Sequence, residues 1–224
     1  MGVYQLPRKP TQLLQHRRNG CVACVVGQLL YVFGLEDKPD LAAIDQAVGL
    51  RSAASPLSGP DAGFYLLCRG FKFVIFGTYD VQSFLRLGKL YLMAFYGKGW
   101  TAEHDEHFTP AEVARLQRLD RQHQIRMKPY RSDGRAQAVV NRRPTQNDVV
   151  ELLRKGYAVD VTYELGHRRR VQHAALLVPD KRYSDCSKVW LYFPDYSGRT
   201  VSSLNLDDAL QAIRYDWGVA GVWR

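Results

Sequence analysis

An almost uninterrupted apolar run extends from Cys21 to Phe33 (CVACVVGQLLYVF). It is too long for an ordinary strand and about the length of one helix, so the pattern predicts a helix with Cys21 in its first turn. Val22, Val25, Val26, Leu29, Leu30, Val32 and Phe33 cover nearly every side, which predicts a buried helix rather than a surface one. A polar, basic turn, Leu14 to Gly20 (LQHRRNG), leads into it. A thiol at such a helix start meets unsatisfied backbone amides and the positive end of the helix dipole. Both favour thiolate and lower the cysteine pKa.

Further along, Pro39 to Gly49 (PDLAAIDQAVG) sets Leu41, Ile44 and Val48 on one helical face, and small, turn-forming residues from Ser52 to Pro60 predict a loop. A helix from about Asp61 to Arg69, ended by Gly70, should feed a strand from Phe71 to Gly77 (FKFVIFG). Leu90 to Tyr96 fits a strand or a buried helix equally well by pattern. Thr109-Pro110-Ala111-Glu112 is a capping box with proline at the first helical position, and the thin apolar face that follows (Val113, Leu116, Leu119) predicts a surface helix. Thr145 to Asp148 caps another helix, buried through Val149, Val150, Leu152 and Leu153 and ended by Gly156. Tyr157, Val159, Val161 and Tyr163 then alternate with Asp160 and Thr162, the mark of a strand with one buried face. Gly166-His167 and three arginines turn the chain into a strand at Val171 to Val178. A loop from Pro179 to Lys188, a strand at Val189 to Phe193, a short helix at about Asn205 to Ile213 and a strand from Gly218 to Trp223 complete the pattern. Helices first and an antiparallel sheet afterwards is an α+β plan, with the thiol helix packed against the sheet.

Composition narrows this picture. With 224 residues and 46% hydrophobic content the chain suits a single domain, 1–224, with an ample core. No run reaches the roughly 20 apolar residues of a membrane span. The N-terminal MGVYQLPRKP lacks the apolar stretch of a signal peptide, so the expected location is the cytoplasm, or export by a specialised apparatus. The net charge of +9 is uneven: from Arg115 to Arg143 nine Lys or Arg face only Asp120 and Asp133. A basic, mostly helical insertion at about 79–143 is therefore expected. No nucleic-acid-binding motif or interleaved aromatic series accompanies the charge, which leaves a solvated face or an acidic peptide or protein partner. Glu103 to His107 (EHDEH) fits a solvated loop or a metal cluster.

The four cysteines, Cys21, Cys24, Cys68 and Cys186, are too few and too irregular for a disulfide scaffold and point to a reducing compartment. Cys21-x-x-Cys24 raises two competitors. A redox pair should follow a strand, whereas Leu13 to Gly20 is polar and turn-like. A zinc site needs a second close pair, which Cys68 and Cys186 do not form. Cys24, one helical turn beyond Cys21, reads as a small buried residue.

Gln15 lies six residues before Cys21, and the helix that Cys21 opens closes on Phe33-Gly34. Downstream, QHAALLV supplies His173 at the start of a strand, and VWLYFPDYSG supplies Asp195 one strand later. In order and context these residues resemble the papain-like cysteine peptidases that cleave double-glycine leader peptides from bacteriocins, with their stand-alone relatives. The resemblance covers the two ends of the chain and not the middle. It implies a papain-like fold, no cofactor, and a site of Cys21, His173, Asp195 and Gln15. The chemistry matches acyl transfer to a thiol: Cys21 as nucleophile, His173 as proton carrier, Asp195 orienting the imidazole, and the Gln15 amide with the Cys21 N–H facing the oxyanion. Gly20 and Val22 depart from the family's usual aspartate and glycine around the nucleophile, and Gln172 stands where small or aromatic residues are commoner. They leave the thiol in place but loosen the tie to a double-glycine substrate.

The expected activity is cleavage or deamidation of an amide bond in a peptide or protein through a thioester. Acyl transfer to an amine on the same fold is the alternative. From a different class comes a non-catalytic module that holds an acidic partner through the basic segment. Taken singly, a histidine entering an apolar strand is a common core or edge residue, and Asp195 before Tyr-Ser-Gly suits a turn. The weight lies in their combination with Gln15 and Cys21.

Overall fold

The structure, a computed structural model, describes residues 7–13, 20–48, 59–139, 142–165, 171–194, 201–215 and 218–224. The apolar run forms α1 (Cys21–Val32), closed where Gly34 N–H donates to the Tyr31 carbonyl and Leu35 N–H to the Leu30 carbonyl. Asp40 caps α2 (Leu41–Ala47) by accepting from the Ala42 and Ala43 amides. Helix α3 (Gly59–Cys68) and strand β1 (Lys72–Phe76) follow as the pattern predicts. Next come α4 (Val81–Leu87), α5 (Lys89–Tyr96), α6 (Ala102–His107) and the long α7 (Pro110–Ser132), then β2 (Ala136–Val139). The remainder is α8 (Gln146–Arg154), β3 (Ala158–Leu165), β4 (Val171–Pro179), β5 (Lys188–Tyr192), β6 (Val201–Asn205), α9 (Leu206–Gln211) and β7 (Val219–Trp223). Gly70 and Gly156 follow α3 and α8 with φ of 83° and 80°, a left-handed geometry that glycine adopts without strain.

The strands make one sheet in the order β2-β1-β7-β3-β4-β5-β6, antiparallel throughout except for the β1–β2 pair. The architecture is α+β: an N-terminal helical region and a mixed, mostly antiparallel seven-stranded sheet largely from the C-terminal half. A parallel pair needs a long crossover. Residues 79–143 supply it: α4 to α7 carry the chain from the end of β1 back to its start, and β2 then pairs beside β1. This segment is mostly helical and contributes a strand to the main sheet. It also holds a small core of its own, built on Phe84, Leu92, Phe108 and Val113.

Both faces of the sheet are covered. On one face α1, α2 and α3 pack with Phe73, Ala158, Leu176, Val178, Tyr192 and Val222. On the other, α8 and α9 pack with Val159, Val161, Tyr163, Ala175, Leu177 and Val219. The alternation of β3 therefore separates two cores and does not separate a core from solvent. The last strand, β7, lies in the middle of the sheet between β1 and β3 rather than at an edge. The ambiguous Leu90–Tyr96 run is helical in α5. Thr109 caps α7 by accepting from Glu112 N–H (3.2 Å), while the Glu112 carboxylate turns to Arg115 (2.6 Å). At Thr145 both halves of the capping box form with Asp148.

Among the described residues no helix is long and apolar enough to cross a membrane. The EHDEH segment forms α6, where Asp105 pairs with Lys89 (2.7 Å) and His104 stands against Thr101 Oγ1 (2.7 Å). Among the described residues no group of three or more His, Cys, Asp or Glu is arranged to hold a metal ion.

Candidate active site at the start of the central helix

Cys21 is the first residue of α1, half-buried, while Cys24 one turn on is fully buried. Gly20 stands at the N-cap without a side-chain hydrogen bond, so the first-turn amides of α1 have no side-chain acceptor there. The backbone amides of Val22 and of Cys21 itself reach the thiol from the helix. A third amide comes from across the interface, that of Ala174 in β4. Helix α1 packs on β4, with Ala174, Leu176 and Val178 beneath it.

These amides do not decide the protonation state. Burial pushes the Cys21 thiol up, the three amides lower it, and the charge of Asp160 raises it, for a net rise. This differs from the lowering that a helix N-terminus predicts, because the sulfur is deep enough for desolvation to outweigh the amides. A cation beside the sulfur is what would reverse the direction.

Below the thiol lies a polar string through an otherwise apolar interior. Tyr192 in β5 donates its hydroxyl proton to the Leu13 carbonyl (2.8 Å), and Cys24 and Gln28 lie beside the same hydroxyl. The Gln28 carboxamide is fully buried; it accepts from the Thr11 N–H (3.2 Å) and donates to the Thr11 carbonyl. Nearer the helix C-terminus, Arg8 N–H donates to the Val32 carbonyl (2.7 Å) and its Nε to the Tyr31 carbonyl (2.6 Å). Residues 8–13 thus run antiparallel along α1, from its C-terminal end towards the Cys21 end. Burial pushes the Cys24 thiol up to about 11, so it stays protonated.

His173 belongs to β4, where its backbone pairs with Tyr163 and immediately precedes Ala174. Its side chain, and all of Gln15 and Asp195, lie outside the described residues, as do most of the loop expected at Ser52–Pro60 and the turn at Gly166-His167. The structure therefore brings Cys21 to the backbone next to His173. Among the other histidines, His123 in α7 is half-buried, and burial with the neighbouring Arg131 and Arg126 pushes it down to about 4, so it stays neutral.

Sequence reasoning missed three residues here. Asp160 and Gln28 each left a signal, a polar residue within an apolar stretch, but Tyr192 left none, since an aromatic in a strand needs no partner to be explained.

The class that these features define is an α+β protein with a half-buried thiol at the start of a central helix, held against a sheet strand by backbone amides. No family model, no curated protein and no solved structure matches the chain.

Proposed function

We propose that the chain is a papain-like cysteine hydrolase that cleaves or deamidates an amide bond in a peptide or protein. The observation that carries the reading is the approach of the Ala174 backbone amide, one residue past His173, to the Cys21 thiol. Two segments far apart in sequence, each expected to hold half of a thiol–imidazole pair, meet at adjoining residues.

In this mechanism His173 takes the Cys21 proton, and the imidazolium supplies the cation that the buried thiolate needs. The thiolate attacks the amide carbon, and the oxyanion is met by the Cys21 N–H and the Gln15 side-chain amide. One such donor is worth about 3 kcal/mol of barrier. His173 then protonates the leaving amine, the C–N bond breaks, and water hydrolyses the thioester with His173 as base. An amine that intercepts the thioester in place of water gives the acyl-transfer variant.

A second reading is favoured by one observation: burial and Asp160 both push the Cys21 thiol up. An unactivated thiol suits a non-catalytic module that holds an acidic partner through the arginines and lysine of α7. One experiment separates the two, the rate of Cys21 alkylation by iodoacetamide across pH, read by peptide mass spectrometry in the wild type and in His173→Ala. The hydrolase reading expects Cys21 to react well below the free-thiol pKa of about 8.5, and to lose that advantage in the variant. A Cys21 that reacts only at the pH of Cys68 or above, equally in both proteins, overturns it.

A further inference from the structure

Asp160 is an unusual residue for its place. In β3 it shares a sheet face with Ala158, which packs under α1, and its register neighbours are Leu176 on β4 and Ala220 on β7. Leu176 and Tyr192, further along the same row, are buried beneath α1. On the other side the cover thins: Ala220 is half-exposed and Ile75, its partner on β1, is 40% exposed. Thr162 and Ala174, the next pair along β3 and β4, are also half-exposed. Asp160 thus stands where the sheet face emerges from under the start of α1, with Ala174 and Ala220 as half-exposed neighbours on that face.

Asp160 is half-buried as a residue, and the surrounding protein is dense enough for desolvation to push its carboxyl up to about 7. No described residue forms an ion pair or hydrogen bond with its side chain. The described titratable group that faces it is the Cys21 thiol, whose charge it opposes. A half-buried carboxylate beside a thiol, with no cation next to it among the described residues, is costly in the empty site and is relieved by a cation that arrives with a ligand.

We propose that Asp160 is a specificity-determining residue of the Cys21 site, which receives the ammonium or guanidinium of a lysine or arginine side chain next to the substrate's reacting amide. The proposal rests on the hydrolase reading for its substrate, and it reverses one expectation: the residue beside the scissile bond is basic, whatever acidic surface α7 meets elsewhere.

The test separates charge selection from catalysis. The first arm measures the rate at which Cys21 is modified at pH 8 by aminoethyl methanethiosulfonate, which is cationic, and by methyl methanethiosulfonate, which is neutral, in the wild type and in Asp160→Asn. The ratio of the two rates cancels any change in thiolate fraction. It is expected to be about tenfold higher in the wild type than in the variant, and the wild-type ratio should collapse with added salt, which serves without any variant. A ratio that is the same in both proteins and insensitive to salt overturns the proposal. The second arm compares kcat/KM for peptides that carry lysine, arginine or norleucine beside the cleaved bond. Asp160→Asn should lose the basic preference and keep norleucine cleavage. Cys21-dependent cleavage with no basic preference sinks the proposal and leaves the hydrolase reading intact. Charge selection without any cleavage retains Asp160 as a cation site and retires the hydrolase reading.

Discussion

The cost of Asp160 to the empty protein is measurable. Its carboxyl lies at about 7 in the folded chain because burial disfavours the charge, against about 3.9 in an unfolded one. Below about pH 4 the group is protonated in both states and contributes nothing. Between about 4 and 7 the unfolded chain releases the proton while the folded chain holds it, so stability falls with rising pH by up to ~1.4 kcal/mol per pH unit. Above about 7 the loss levels off at ~4 kcal/mol, or nearer half of that once the partial exposure of the residue is allowed for. Asparagine has the shape of the neutral acid and never ionises. Asp160→Asn should therefore match the wild type within about 0.5 kcal/mol at pH 4 and exceed it by about 2 kcal/mol or more at pH 8. Both proteins carry the neighbouring Cys21 thiol, and repeating the comparison with Cys21→Ser in each isolates the carboxyl. Urea unfolding at the two pH values, with the same slope in each protein, gives the difference directly. A variant less stable than the wild type at pH 8 would show that the carboxylate is paired in the folded state, and would refute both this account and the empty cation site.

Two further outcomes are expected. Cys21→Ala should abolish peptide hydrolysis while Cys24→Ala keeps most of it, since the Cys24 thiol is fully buried and held at about 11; the reverse pattern in a turnover assay identifies the wrong nucleophile. Tyr192→Phe preserves the ring but leaves the Leu13 carbonyl without its donor, in the interior beside Cys24 and Gln28. It should lower unfolding free energy by about 1–3 kcal/mol in urea titration, and a change under about 0.5 kcal/mol would mean that water replaces the hydroxyl.

Where local chemistry fixes an element, the sequence predicted it well. The apolar run gave α1, Thr109 and Thr145 started α7 and α8, and Gly70 and Gly156 closed α3 and α8. The strands β2 (AQAV) and β6 (VSSLN) went unseen because they are short, partly exposed, and owe their form to pairing with β1 and β5. Strand order is likewise non-local: nothing within Val219–Trp223 says that it inserts between β1 and β3. The Leu90–Tyr96 run, too short to tell a strand from a helix by periodicity, was settled by packing of Leu92 into the cluster with Phe84 and Phe108. Of the expected site, the position of Cys21 at a helix start was legible, since an apolar run that begins after a glycine and a basic turn has few other places to begin.

Asp160 shows why the rest of the site was not legible. An alternating strand is read as one face to the core and one to water, and under that rule a polar residue between Val159 and Val161 belongs outside. The rule holds for a sheet covered on one side only. Here α8 and α9 take the valine face while α1 takes the other, so the same alternation carries Asp160 to the edge of a second interior. No count of hydrophobic positions in β3 distinguishes the two cases, because the layer that buries Asp160 is encoded far away, in the run that begins with Cys21. The thiol and the carboxylate come together through packing of one distant helix on the sheet, and that packing gives both residues their shifted protonation. It follows that a change which loosens α1 from the sheet, such as loss of the Tyr192 hydroxyl, should relax the Asp160 carboxyl towards its ordinary value even though the two side chains share no hydrogen bond.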